Sequence, residues 1–346
     1  MDEPTLHALL RKGQEHGASD VHFKVGQPPA FRVHGDLHYL QADRMRPAET
    51  KAVAEVLLKG SRYTDPIDDL FEYDMSYSVS GVGRYRVNIY RQKGTLAIAM
   101  RSIPLKIPIF EELRLPPVAR VLAEMERGMV LVVGAAGNGK STTLAAMVGH
   151  LNRTKRIHIV TVEDPIEYIH ADNLASISQR EIGIDTPAFG PALRAALRQD
   201  PDVILVGEIR DEETMDIALK AAETGHLVLS TLHTPDVQRT MGRVLALTGG
   251  HQSQETRDRF GENLKGVIAQ RLLPKADGQG IALATEILVV TGTARETIRK
   301  PEGNPPLKEV MEKGTHPYGM HTFEMSLREL ARGGIVSVEA ARAAMG

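Results

Sequence analysis

The hydrophobic rhythm of the chain changes near residue 115. Before that point, short alternations of apolar and polar residues dominate: Val21–Val25, Phe31–Val33, Arg84–Tyr90 and Leu96–Arg101. Such period-two stretches predict half-buried strands. Gly26–Pro29, Gly35-Asp36 and Gly81–Gly83 supply the turns between them. A helical pattern at Glu49–Leu58 interrupts the series. The pattern predicts a small α+β domain over residues 1–101. Pro104 and Pro108 then suit an extended linker, placed at 102–114.

From residue 115 to 346 the apolar runs become continuous: Val130–Val133, Ile157–Val162, Val203–Val206, Leu227–Thr231 and Ile281–Val290. These read as parallel strands buried on both faces. Helical patterns at Ser141–Leu151, Pro191–Arg198 and Glu212–Thr224 lie between them. The expected fold class is α/β, an open sheet whose ligands bind beyond the carboxyl ends of its strands. Phe323–Arg332 and Ser337–Met345 read as two closing helices, the first ended by Gly333-Gly334 and the second capped by Ser337.

Gly134-Ala135-Ala136-Gly137-Asn138-Gly139-Lys140-Ser141-Thr142 fits G-x-x-x-x-G-K-[ST] between a strand and a helix. Glycines let successive backbone N–H groups curl round an anion, and the helix N-terminus adds positive potential. Lys140 can then reach β- and γ-phosphates, and the Ser141 hydroxyl can bind Mg²⁺. The expected ligands are therefore ATP and Mg²⁺.

The other strand ends carry acids. Glu163 and Asp164 follow the second strand, where they can position Mg²⁺ or water, or cap a neighbouring helix. Gly207-Glu208 follows Val203–Val206, so Glu208 is the expected base or orienter of an attacking water. Asp202 lies at the opposite end of that strand and reads as structural. Arg210-Asp211 next to it reads as a loop-stabilising pair. His233 follows the strand Leu227–Thr231 and can contact a γ-phosphate, whereas His226 precedes it and needs another explanation.

Composition narrows the chemistry. With 346 residues the chain can bury a core without staples. The absence of cysteine rules out disulfides, thiolate zinc sites and cysteine nucleophiles. Against 42 basic side chains stand 44 acidic ones, and there is no Trp, so a nucleic-acid partner is not expected. No apolar stretch approaches the ~20 residues of a membrane span and no signal peptide opens the chain. The expected location is cytoplasmic.

Four blocks together resemble the secretion-type ATPases, the motors of type IV pili and type II secretion. They are Gly134–Thr143, Thr161–Tyr168, Leu193–Asp211 and Ala222–Thr234. The likeness extends to Ala18–His22, Arg32–Asp36, Gly83–Asn88 and Tyr318–Phe323. The pilus-retraction branch is the most similar, since the assembly members carry a four-cysteine zinc insertion. The resemblance implies a PAS-like α+β domain followed by a RecA-like P-loop ATPase domain. It implies a homohexamer with shared sites, peripheral to the inner membrane through a pilus platform protein, with a related ATPase as a further partner. Ala135–Thr142 would hold ATP, with Arg271 near the base. Glu208, Glu163 and His233 would act on the γ-phosphate, with Ser141 and Glu163 near Mg²⁺. Arg84, Arg86 and Arg101 would approach the nucleotide from the first domain; as residues alone, Arg84 and Arg86 read equally as solvated strand arginines. An assembly or accessory role, or a RecA-like translocase, are the alternatives.

Overall fold

The computed structural model describes residues 1–59, 61–104, 106–248 and 254–345. Residue 105 of the expected linker and residues 249–253 and 346 of the expected ATPase domain lie outside the described residues. The chain divides into two units, Met1–Lys106 with Glu167–Ile169, and Ile107–Ile166 with His170–Gly346.

In the first unit the helix α1 (Glu3–Glu15) leads to strands β1 (Asp20–Phe23), β2 (Ala30–Val33) and β3 (Asp36–Tyr39). Helix α2 (Pro47–Leu58) follows, then β4 (Glu72–Val79), β5 (Gly83–Gln92) and β6 (Thr95–Ile103). The sheet order is β3-β2-β1-β6-β5-β4, antiparallel throughout. Leu6, Leu10, Val53 and Leu57 of the helices are buried with Phe23, Tyr85, Ile89 and Met100 of the sheet. The Tyr85 hydroxyl donates to the Leu10 carbonyl at 3.2 Å, which fastens α1 to β5. Alternation then sends Arg84 and Arg86 to the face opposite this core.

The linker expected at 102–114 is shorter in the structure. Ser102 and Ile103 pair with Tyr85 and Arg84 as part of β6. Beyond it, Phe110 and Leu115 are already buried in the core of the second unit. An apolar residue next to proline is drawn into a core when one is within reach, whatever the proline does to the backbone.

The second unit contains α3 (Pro117–Ala123), β7 (Gly128–Val133), α4 (Lys140–Thr154), β8 (His158–Glu163), β9 (Ser176–Glu181) and α5 (Phe189–Ala196). It continues with β10 (Val203–Val206), α6 (Glu212–Glu223), β11 (Leu227–Leu232), α7 (Val237–Leu247) and α8 (Gln254–Asn263). The hairpin β12 (Leu264–Pro274) and β13 (Ile281–Val289) precedes α9 (Gly292–Arg299), α10 (Leu307–Lys313), α11 (Phe323–Arg332) and α12 (Val338–Ala343). Among the described residues the sheet has the order β13-β12-β7-β11-β10-β8-β9. All neighbours are parallel except β12 and β13. This is the expected RecA-like α/β layer with two differences. Ile281–Val289 is antiparallel, because a short turn returns it beside β12. The strand β9 at the far edge, Ser-Ile-Ser-Gln-Arg-Glu, is too polar to register as an apolar run. The closing helices form as expected, with the Ser337 hydroxyl accepting the Ala340 N–H and Gly334 in the left-handed region after α11.

His170 follows β8 in the chain and is pushed down to about 4 by burial, with the Arg153 charge adding to it. Among the described residues its Nδ1 has no hydrogen-bond partner. The unfolded chain takes up this proton near the ordinary value of 6.5 and the folded chain does not. The stabilisation is therefore full above that value and is lost as pH falls toward about 4. The loss amounts to roughly 2 kcal/mol by pH 5. Urea unfolding at pH 7 and pH 5 checks this: His170→Gln loses about that much less stability across the interval than the parent chain.

Candidate nucleotide site

Parallel pairing sets the site. Val133 lies opposite Leu232, and Val206 lies opposite both Ser230 and Val162. The carboxyl ends of β7, β11, β10 and β8 therefore share one edge of the sheet, in steps of about 4.8 Å. The loop after β7, the histidine after β11 and the acids after β10 and β8 all emerge there.

The loop begins at Gly134, with φ +151°, where a Cβ would stand 2.7 Å from the carbonyl oxygen of Gln270. Only glycine fits between β7 and β12 at that point. Gly139, in the left-handed region, is the N-cap of α4. Lys140 is only 8% exposed, and its Nζ donates to the carbonyls of Gly134 and Ala135 at 3.0 Å each. The lysine thus lies folded over its own loop, with a buried cation at the helix N-terminus. Asn138 Oδ1 accepts the Leu272 N–H at 3.1 Å, and Gln270 Nε2 donates to Thr143 Oγ1 at 2.7 Å. Both ends of the loop are therefore tied to β12. A cradle of this kind fits a phosphate chain. Among the described residues no three His, Cys, Asp or Glu side chains gather as a metal cage. Mg²⁺ does not require one, since one or two protein oxygens and the substrate phosphates complete its shell. Ser141 stands at the start of α4, directly after Lys140.

At the end of β8, Glu163 Oε1 accepts from the Thr161 hydroxyl at 2.6 Å and from Gln179 Nε2 at 3.2 Å. At the end of β10, Gly207 is held against β8: its N–H donates to the Val162 carbonyl at 2.8 Å, and a Cβ on it would come within 3.2 Å of Glu163 Cα. Thr231 Oγ1 donates to the Gly207 carbonyl at 2.8 Å. Glu208 thus leaves a backbone pinned on both sides. Its side chain is 12% exposed and ion-paired with Arg210, and His233 Nε2 lies 3.3 Å from its Oε2. Arg210 also reaches to 3.9 Å from Asp164 Oδ2. Glu208, His233 and Asp164 are thereby brought together, with Arg210 as the added member. The sequence pairs Arg210 with Asp211, but Asp211 instead caps α6 by accepting the Thr214 N–H at 2.8 Å.

The opposite edge is structural. Asp202 Oδ2 accepts the His158 N–H at 2.8 Å and joins β8 to β10. His226 Nδ1 lies 2.9 Å from the Ala221 carbonyl and 3.2 Å from the Thr224 hydroxyl, which closes the turn between α6 and β11. That accounts for His226.

In the first unit Arg86 stands opposite Arg101, and Asp20 stands between Arg101 and Arg32 across β6, β1 and β2. Arg101 Nε donates to Asp20 Oδ1 at 2.9 Å. Burial pushes the Asp20 carboxyl up, but the Ser19 hydroxyl and the Arg101 guanidinium outweigh it and hold the group below the usual range. Arg101 therefore has a partner within its own sheet.

Arg271 is engaged within the protein. Its guanidinium stacks 4.2 Å over the Phe323 ring and donates to the Ala344 carbonyl, so it anchors α11 and α12. Strand alternation decides this: Gln270 and Leu272 point to the loop, and Arg271 between them points away. A cavity of about 760 Å³ opens beside the loop, lined among others by Asn138, Thr142, Leu272, Leu283 and Met320. Gln270 and Leu272 belong to β12, where Lys265, Gln270 and Arg271 break the apolar pattern that would mark a strand.

Residues 108–331 match the family model described as Type II/IV secretion system protein. The chain is 40% identical to the type IV pilus retraction ATPase PilT of Pseudomonas aeruginosa over 96% of each chain. It is 38% identical to the type IV pilus ATPase PilU of the same organism, over 97% of this chain and 87% of that one. The crystal structure of the pilus retraction motor PilT with bound ADP superposes with a TM-score of 0.89 at 39% identity, covering 98% of this chain and 96% of that one. A phosphate loop at the edge of a RecA-like sheet and a likeness that runs the length of both chains agree: the chain belongs to the type II/IV secretion system protein family.

Proposed function

We propose that this chain is an ATP-hydrolysing motor that powers the retraction of a type IV pilus. The observation that carries the reading is Glu208. It stands at the carboxyl end of β10, two strands or about 10 Å from the phosphate loop, on a pinned backbone and beside His233. A base at that distance meets a water in line with the γ-phosphate of a nucleotide held by Ala135–Thr142. Full-length similarity to PilT supports the rest.

Each residue then has one task. Backbone N–H groups of Gly137–Ser141 and the Lys140 ammonium hold the β- and γ-phosphates. Lys140 leaves the carbonyls of Gly134 and Ala135 to do so. Mg²⁺ supplies charge neutralisation when bound, with Ser141 and Glu163 as its protein oxygens. Glu208 takes the water proton, and His233 senses the γ-phosphate. The base of the nucleotide occupies the cavity beside Leu272, in place of the Arg271 contact expected from sequence.

Arg84, Arg86 and Arg101 act on the nucleotide of a neighbouring copy in a homohexamer, where an added cation is worth about 10³–10⁵ in rate. The ring is cytoplasmic and works on a platform protein of the inner membrane. Among the described residues no helix is long and apolar enough to cross a membrane. A second reading, an accessory pilus motor, is favoured by the near-equal likeness to PilT and PilU. Pili in a deletion strain separate the two: long, non-retracting pili mark the main retraction motor, and retracting pili with reduced force mark the accessory.

Three outcomes test the chemistry. In a phosphate-release assay Lys140→Ala loses turnover by at least about a hundredfold. Glu208→Gln binds ATP yet hydrolyses it about a thousandfold more slowly; near-normal turnover would remove Glu208 from this role. Gly134→Ala costs roughly 2–4 kcal/mol in urea unfolding, because its Cβ meets the Gln270 carbonyl and its φ disfavours a side chain.

A further inference from the structure

Glu208 presents a difficulty as a base. One oxygen is ion-paired with Arg210 and the other lies 3.3 Å from His233 Nε2. The guanidinium competes with water for the first oxygen, while the second, among the described residues, is buried without a hydrogen-bond partner. Release of the guanidinium opens the Arg210-bound oxygen to water.

The two partners differ in freedom. The Glu208 side chain is 12% exposed, whereas that of Arg210 is 63% exposed. The backbone around Arg210 is held on both sides: Ile209 N–H donates to the Thr231 carbonyl at 3.1 Å, and Asp211 caps α6. Only the Arg210 side chain is left to swing. Its second hold, on Asp164, is a loose 3.9 Å. Against this stands the γ-phosphate, which concentrates more charge than either carboxylate and offers a guanidinium two oxygens at once.

We propose that Arg210 is a substrate-triggered switch for the hydrolysis. It is held by Glu208 and Asp164 until the γ-phosphate of ATP draws it across. The transfer unmasks Glu208 as the base and delivers a cation to the phosphate in the same motion. ADP has no γ-phosphate and leaves the pair closed, so the site discriminates the two nucleotides by what they release as well as by what they contact. This rests on the reading of Glu208 as the base.

A double-mutant cycle on the full chain tests it, with ATP and ADP dissociation constants measured by calorimetry in the presence of Mg²⁺. Glu208→Gln frees Arg210 and tightens ATP about tenfold, with ADP little changed. In an Arg210→Gln background the same substitution loses that gain, and Arg210→Lys restores part of it. Equal tightening in both backgrounds would mean that removal of a negative charge, and not release of Arg210, is responsible, and would overturn the switch. If Glu208→Gln instead turns over ATP normally, the reading of Glu208 fails and takes this proposal with it. Circular dichroism of each variant confirms the fold; with the Arg210 side chain exposed, its replacement leaves the core intact.

Discussion

Everything at the candidate site depends on one constraint, the parallel register of β7, β11, β10 and β8. These strands are buried on both faces, so their backbone groups have only one another as partners, and the ladder is obligatory. Parallel pairing then brings every carboxyl end to the same edge. A phosphate loop, a histidine and three acids, spread over a hundred residues of sequence, become neighbours without any side chain having to find another.

That edge is a problem in charge as much as in geometry. Buried Lys140 lies over carbonyls of its own loop, and Glu208 is paired with Arg210. Lys140 and one oxygen of Glu208 thus have partners within the protein. Binding therefore exchanges internal partners for phosphate oxygens, and a site built in this way couples the arrival of substrate to the release of catalytic groups. The carboxyl-terminal helices are secured separately. Buried Glu286 accepts the Val237 N–H of α7 at 2.9 Å and the Phe323 N–H of α11 at 3.4 Å. Burial raises the proton affinity of that carboxyl, and the two N–H groups oppose the rise. The helix that follows His233 and the helix that holds Arg271 through Phe323 thus start from one carboxylate.

Legibility varied with the kind of signal. Val203–Val206 was readable to the residue because Asp202 and Gly207 bound its four apolar residues. The strand β9 was not, since an edge strand buries one side only and looks like a loop. The strand β12 escaped because Lys265, Gln270 and Arg271 interrupt it, although its backbone is central. Without the strand there is no alternation to say that Gln270 and Leu272 face the loop and Arg271 faces Phe323. The linker was overread because proline is a local signal and the burial of Phe110 is a distant one.

The sequence alone determined the phosphate loop, the order of the apolar strands and which end of each carries Glu163, Glu208 and His233. Those follow from glycine geometry, strand period and chain direction, all of them local. Only the tertiary structure decided who pairs with whom. Arg210 faces Glu208 and Asp164 and not its neighbour Asp211, Arg101 is bound to Asp20, and His226 closes a turn. Pairing of charges is settled by strands that are distant in sequence and adjacent in the sheet, and no pattern along the chain records that adjacency.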